Sequence, residues 1–341
     1  MSQVNEQIRD SHGQWQPETL PSPSSIFSWP PKFLTILKGL GREFFHWRNL
    51  FYILVGVISW LFLTPDLSRT STFSIGWISE IYLRNCAFLI LIAGGLHLRL
   101  YIKRAQGIEY KFSERWLGKN KKGFLFRNQT WDNMFWSIAS GCVVWTGYEV
   151  FMLWGYANGM MPFINFQASP VLFVAILLIL VHYHKLHFYF THRLIHWKPL
   201  YRTVHHVHHR NVNFAPWSGL SMHPVEHLIF FSDVLIFWLL PGHPILVLFM
   251  LLRSGISPAN GHGGFHRIVK TQNGEERDAP DYGLWGRGSD YFHHLHHRFF
   301  TVNFGNSDFP LDKWFGTRHD GSSEDHAIMI QKRRARSQKR R

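Results

Sequence analysis

Four long apolar blocks constrain this chain more than any other feature. They are Phe44–Thr64 (centred on FYILVGVISWLFL), Ile81–Leu100 (with CAFLILIAGGL), Asn133–Tyr156, and Val171 to about Phe190. Crossing the hydrocarbon of a bilayer takes roughly 20 predominantly apolar residues as a helix. In that hydrocarbon the backbone has to satisfy its own hydrogen bonds, and a helix does so. A fifth block, Leu228–Leu252, is broken by Pro241-Gly242-His243-Pro244. Each half is too short to cross, so the block reads as a re-entrant or kinked hairpin. The predicted fold is an all-α integral membrane protein. It has about four transmembrane helices, that hairpin, and a cytosolic helical cap rich in histidine.

The charges agree with this layout. Lys+Arg number 36 against 22 Asp+Glu, a net charge of +14. Such an excess suits nucleic acid or a membrane face. Here the basic residues flank apolar blocks and no nucleic-acid motif accompanies them, so no nucleic-acid partner is expected. Lys32, Lys38, Arg42 and Arg48 precede the apolar centre of the first block, and nine Lys or Arg lie between Arg99 and Arg127. Loop 65–80 is nearly neutral, loop 157–170 carries no charge, and the tail KRRARSQKRR holds seven basic residues. Positive residues stay inside. That places both termini and the histidine region in the cytoplasm, at a bacterial plasma membrane or, in a eukaryote, the endoplasmic reticulum.

The first 30 residues are polar and carry no apolar core of a secretory signal. The two cysteines, Cys86 and Cys142, exclude a disulfide framework and a Cys-rich metal site. The expected organisation is a disordered or surface segment over 1–43, transmembrane helices over 44–156, a histidine-bearing domain over 157–318, and a basic tail over 319–341.

Histidine is the outlier, with 18 of 23 between His182 and His297. Four clusters stand out: HRLIH (His192, His196), HHVHH (His205, His208, His209), HGGFH (His262, His266) and HHLHH (His293, His296, His297). On a helix, residues three and four apart share a face. HxxxH then presents two imidazoles to one point, and HxxHH presents three. Imidazole suits Fe, Zn, Cu and Ni, and one zinc takes about four ligands. Ten rings therefore fit a two-metal site.

A lone histidine is usually a satisfied core or surface residue, and one HxxxH arises readily by chance. Two triplets and two pairs within residues 192–297 do not. Haem takes only two axial ligands and leaves most of these rings unexplained. His206 and His294 fall outside the HxxHH register. His182, His184 and His187 read as interfacial or supporting, and His243 as structural. In SMHPVEH, Glu226 reads either as a carboxylate orienting a ligating ring or as part of a helix start after Pro224.

The run THRLIHWKPLYRTVHHVHHR, followed by SGLSMHPVEH, NGHGGFH, DYFHHLHHRFFTVNFGN and LDKWFGT, resembles the fatty acid hydroxylase / sterol desaturase superfamily. The resemblance covers roughly residues 170–318. It implies a non-haem di-iron centre on the cytoplasmic face of a helical bundle, with O2 as oxidant. It also implies a separate electron donor of cytochrome b5 or ferredoxin type, and a lipid substrate such as a sterol, fatty acyl or sphingolipid chain. Motif by motif it assigns His192, His196, His205, His208, His209, His262, His266, His293, His296 and His297 as metal ligands and catalytic residues.

The expected function is hydroxylation of an unactivated lipid C–H bond. Sterol-type desaturation by the same centre is the alternative. Zinc is a possible occupant of purified protein, since imidazole accepts both metals. A histidine-rich metal-binding or transport protein is the reading from another class. It predicts ligands scattered along the spans with carboxylates among them, and only Glu149 stands clearly inside one.

Overall fold

A proline at the first helical position, with a capping side chain before it, opens the central helix, Pro244–Gly261. His243 Nδ1 accepts from the Ile245 amide at 3.1 Å. Every residue from Leu246 to Leu252 is at most 2% exposed. A helix apolar all round belongs inside. Around it pack the helices Trp47–Ile58, Ile75–Leu89 and Val143–Ala157 and the turn Pro216–Leu220. The turn meets the helix backbone to backbone. A Cβ on Gly219 would lie 2.4 Å from the carbonyl carbon and oxygen of Pro258. The computed structural model describes residues 9–10, 13–15, 24–27, 29–108, 110–266, 268–270, 276–278 and 289–338. The lead-in PETLPSP and the last three basic residues lie outside the described residues.

Among the described residues, two helices are long and apolar enough to cross a membrane, Ile75–Ile102 and Pro170–Ile195. A third qualifies if Phe33–Arg42 and Trp47–Leu63, bent by 49°, form one span. The block expected as the third span is helical throughout 129–157 but is not among these. Asp132, Glu149 and small polar residues dilute its apolar run. Glu149 is paired there with Arg84, and both are buried. A buried charge requires such a partner. Beside the pair, Asn85 Nδ2 donates to Thr146 Oγ1 at 3.2 Å.

The fifth block forms the kinked pair its prolines predict. Pro224–Phe230 continues into tighter turns over Phe231–Trp238, and Pro244–Gly261 returns. Loop 157–170 closes the bend: Gly242 N donates to Pro162 O at 3.0 Å and Ile164 N to Gly242 O at 2.9 Å.

One departure from expectation is local. Among the described residues the regular structure is helical apart from a short antiparallel hairpin, Ile268–Lys270 with Glu276–Asp278, where β-branched residues follow the HGGFH motif. Trp15 is buried against Phe112 and Tyr291, and Arg298 pairs with Asp10. At the other end, Ser323–Gln338 is a helix that docks through buried His326 and Met329.

Candidate metal centre

Four segments deliver the histidines. The Pro170–Ile195 helix brings His192 and ends at His196. A continuous helical stretch over 198–209 brings His205, His208 and His209. His262 sits at the C-cap of Pro244–Gly261. Ser289–Phe299 brings His293, His296 and His297. Their ligand nitrogens fall into two groups, each with all atoms within 4.8 Å of one another. One holds His192, His196, His205, His209 and His296, and the other His208, His262, His293 and His297.

The triplets do not each serve one point. In both, the residues at i and i+4 join one group and the residue at i+3 joins the other. Helix geometry explains the split. At 3.6 residues per turn, i+3 and i+4 lie on opposite sides of the line through i. Two helices facing each other across the site then exchange members.

The donor atoms have the character of metal ligands. His192 Nδ1 donates to Phe304 O at 2.6 Å, His296 Nδ1 to Val302 O at 2.6 Å, and His262 Nδ1 to Pro258 O at 2.9 Å. A carbonyl only accepts, so each of these rings carries its proton on Nδ1 and turns a lone pair inward from Nε2. The Nε2 atoms then crowd together. His196 lies 3.0 Å from His296 and 3.0 Å from His205, and His297 lies 3.1 Å from both His208 and His293. Nitrogens bound at about 2.0–2.1 Å to one metal stand about 3.0–3.4 Å apart. Converging lone pairs at that spacing repel without a cation between them. The residues present fit two metal ions.

Further contacts hold the rings. His205 Nδ1 lies 2.7 Å from Oε1 of Glu226, and both residues are buried. This is the orienting-carboxylate reading of Glu226. The loop after the last motif provides two of the carbonyls, and Asp312 pins it. The Asp312 carboxylate accepts from Phe304 N at 2.9 Å, Gly305 N at 2.8 Å and Thr317 Oγ1 at 2.6 Å. Neither Asp312 nor these two carbonyls stood out in the sequence, although Val302 and Phe304 lie in the DYFHHLHHRFFTVNFGN run and Asp312 in LDKWFGT.

Burial keeps the rings neutral. It lowers the pKa of His196, His205, His208, His209, His293, His296 and His297 well below the ordinary value, and that of His262 to about 4. Neighbouring imidazoles push the first seven further in the same direction. Burial likewise raises the Glu226 carboxyl well above its usual range.

His266 belongs to neither group. The HGGFH run is not helical. Its helix stops at Gly261, and Gly264 takes φ +79°, so His266 does not share a face with His262. Its ring lies 4.6 Å from that of Trp15, and its amide donates to Tyr110 O. The other histidines serve elsewhere. His206 is exposed, while buried His294 bonds to Gln14 Oε1 at 3.2 Å. His184 contacts Asp233 at 2.9 Å and His187 contacts Ser232 at 3.0 Å, tying the Pro170–Ile195 helix to the kinked pair. His227 meets Ser140 at 2.9 Å, and His223 caps Val225.

A cavity of about 150 Å³ opens onto the rings. His192 and His205 of one group and His208, His262 and His293 of the other line it, so it faces both groups. Phe188, Ile195, Met222, Ile229 and Phe230 give it apolar walls.

The comparison with known proteins agrees with this architecture. A family model described as fatty acid hydroxylase matches residues 174–317, the segment holding all nine converging rings. The chain is 27% identical over 162 residues to a Delta(7)-sterol-C5(6)-desaturase of Nicotiana tabacum, covering 46% of this chain and 53% of that protein. It is 33% identical over 135 residues to methylsterol monooxygenase 2-2 of Arabidopsis thaliana, covering 38% and 47%.

Residues 174–317 are a domain of the fatty acid hydroxylase and sterol desaturase superfamily.

Another similar protein is a very-long-chain aldehyde decarbonylase of Oryza sativa subsp. indica, 32% identical over 179 residues, or 51% of this chain and 61% of that protein. The matches span about half the length of these relatives. No solved structure matches this chain.

Proposed function

We propose that the chain is a membrane-bound oxygenase that uses two iron ions, O2 and external electrons to hydroxylate an unactivated C–H bond of a lipid. One observation carries the reading: nine imidazoles converge in two adjacent groups beside an apolar-walled cavity. That cavity follows a helix apolar enough to cross a membrane. His192, His196, His205, His209 and His296 would hold one iron, and His208, His262, His293 and His297 the other. When bound, the pair would supply O2 activation and hydrogen removal, chemistry that side chains cannot perform unaided.

The chain's own residues do the positioning. Carbonyls of Phe304, Val302 and Pro258 hold Nδ1 protons and so aim His192, His296 and His262. Glu226 does the same for His205 and strengthens it as a donor. Phe188, Met222 and Phe230 exclude water and offer a surface to an apolar chain. Electrons would come from a separate protein of cytochrome b5 or ferredoxin type. The same reading includes about four spans, cytoplasmic termini and a histidine-bearing domain over 157–318. The membrane would be a bacterial plasma membrane or the endoplasmic reticulum. Purified protein would also accept zinc.

Desaturation is the second reading, favoured by relatives named as sterol desaturases. It removes a second hydrogen where hydroxylation returns oxygen. Metal transport fits less well, because the rings gather at one place and Glu149 is tied to Arg84. Mass spectrometry of lipid extracts from expressing and control cells separates the readings. Gain of one oxygen supports hydroxylation, and loss of two hydrogens moves the assignment to desaturation. No lipid change under iron-supplied expression with a working electron donor contradicts both.

A further inference from the structure

The cavity beside the imidazoles has a second, cationic end. Its wall follows one stripe of the Pro170–Ile195 helix, through His184, Phe188, Thr191, His192 and Ile195. At 1.5 Å rise per residue, His184 lies on the order of 12 Å along the axis from His192. Arg48, on the Trp47–Ile58 helix, is the one Lys or Arg among the described residues lining the cavity. It stands at the His184 end. Arg48 acts electrostatically on Asp308, and Asp308 bonds at 2.6 Å to Lys185, the neighbour of His184.

Other charged groups at that end have partners. Lys185 holds Asp308, His184 holds Asp233, and Arg253 donates to Asn49 Oδ1 at 3.3 Å. Among the described residues the Arg48 guanidinium has no ion pair or hydrogen bond. The two carboxyls that line the cavity, Glu226 and Asp290, belong to the opposite end. Glu226 bonds His205, and Asp290 lies three residues before His293. The cavity is therefore polarised along its length.

A half-buried guanidinium with no bonded counter-charge is costly in an apolar-walled cavity, and Asp308, its electrostatic neighbour, is held by Lys185. The planar fork of a guanidinium matches a carboxylate or phosphate oxyanion. We propose that Arg48 is a specificity-determining residue. The cavity takes an amphiphile whose oxyanion head pairs with Arg48 while its apolar chain runs toward the imidazoles. This rests on the reading of the cavity as the substrate pocket. A sterol hydroxyl brings no counter-charge and is the poorer occupant. Arg48 lies outside residues 174–317, so the family motifs do not determine it.

The test is displacement of nitroxide-labelled stearic acid from the intact, detergent-solubilised protein, followed by electron paramagnetic resonance. The competitors are palmitic acid, hexadecyl phosphate, palmitic acid methyl ester and cholesterol. Wild type should bind the acid or the phosphate about tenfold more tightly than the ester or the sterol, the scale of one charge-assisted hydrogen bond. Whichever of the two anions binds more tightly names the head group. Arg48→Met should bring the ratio near one, and Arg48→Lys should keep part of it, with metal content unchanged in both. Equal binding of acid and ester by wild type, or an undiminished ratio in Arg48→Met, overturns the assignment. If Arg48→Met does not fold, the wild-type ratio and Arg48→Lys decide. Anion-selective binding without any oxidised lipid would count against the oxygenase reading and leave this one standing. Oxidised lipid without anion selectivity would do the reverse.

Discussion

His208 and His209 are consecutive, yet they face different partners. His208 Nε2 lies 3.1 Å from that of His297, and His209 Nε2 lies 3.1 Å from that of His296. The two triplets thus cross-pair, and each contributes to both nitrogen groups. His208→Ala and His209→Ala should each reduce bound metal from two to about one per chain and abolish product, while the protein stays folded. His266→Ala should keep both metals, since its ring rests on Trp15. Elemental analysis of the three variants checks this. Loss of metal in His266→Ala would restore that residue to the ligand set.

Glu226 is bonded to the metal site through His205. Groups that orient ligating imidazoles typically contribute about 10–100-fold to metal affinity. Glu226→Ala should weaken binding at the first group by about that factor, and Glu226→Gln, which still accepts a hydrogen bond, by less. Competition with a metal buffer measures both. Equal affinity in wild type and Glu226→Ala would show that the contact does not tune the site.

Acid should destabilise the metal-free protein. Burial holds His262 down to about 4 and His205, His208, His209, His293, His296 and His297 well below the ordinary value. In the unfolded chain these rings take protons near pH ~6.5. Below that pH the unfolded state binds more protons than the folded state, so stability falls as pH falls. The contribution of the rings should be complete above neutrality, and the thermal midpoint should decline from about pH 6.5 toward about pH 4. A midpoint independent of pH over that window would contradict neutral burial of the rings.

The Arg84–Glu149 pair is predicted to be structural. Removing one partner of a buried pair leaves an uncompensated charge and costs about 3–5 kcal/mol. Arg84→Met and Glu149→Met should each lower the thermal midpoint in detergent sharply. The double variant should recover much of the loss, and all three should retain metal. Additive losses would mean that the two side chains act independently.

Much of this was legible in the sequence, for physical reasons. Nine of the ten histidines singled out by spacing converge, because helical periodicity brings i, i+3 and i+4 toward a common side. The tenth, His266, lies apart because that rule applies only inside a helix, and Gly264 at φ +79° ends the regularity. The split of each triplet between two groups was not legible. It depends on which helices face each other. The carbonyls of Val302 and Phe304 are backbone atoms, and side-chain patterns do not reveal them. The docked Trp15 was hidden for a similar reason, as one aromatic residue in a polar, proline-rich stretch gives no periodic signal. The bend at Pro241–Pro244 was readable because proline at a helix start is a local property.

Iron content of the purified protein, after expression with iron supplied, tests the central claim most directly. The account predicts two iron atoms per chain, or two metal atoms where zinc has replaced iron. A chain that folds and carries no metal would contradict it.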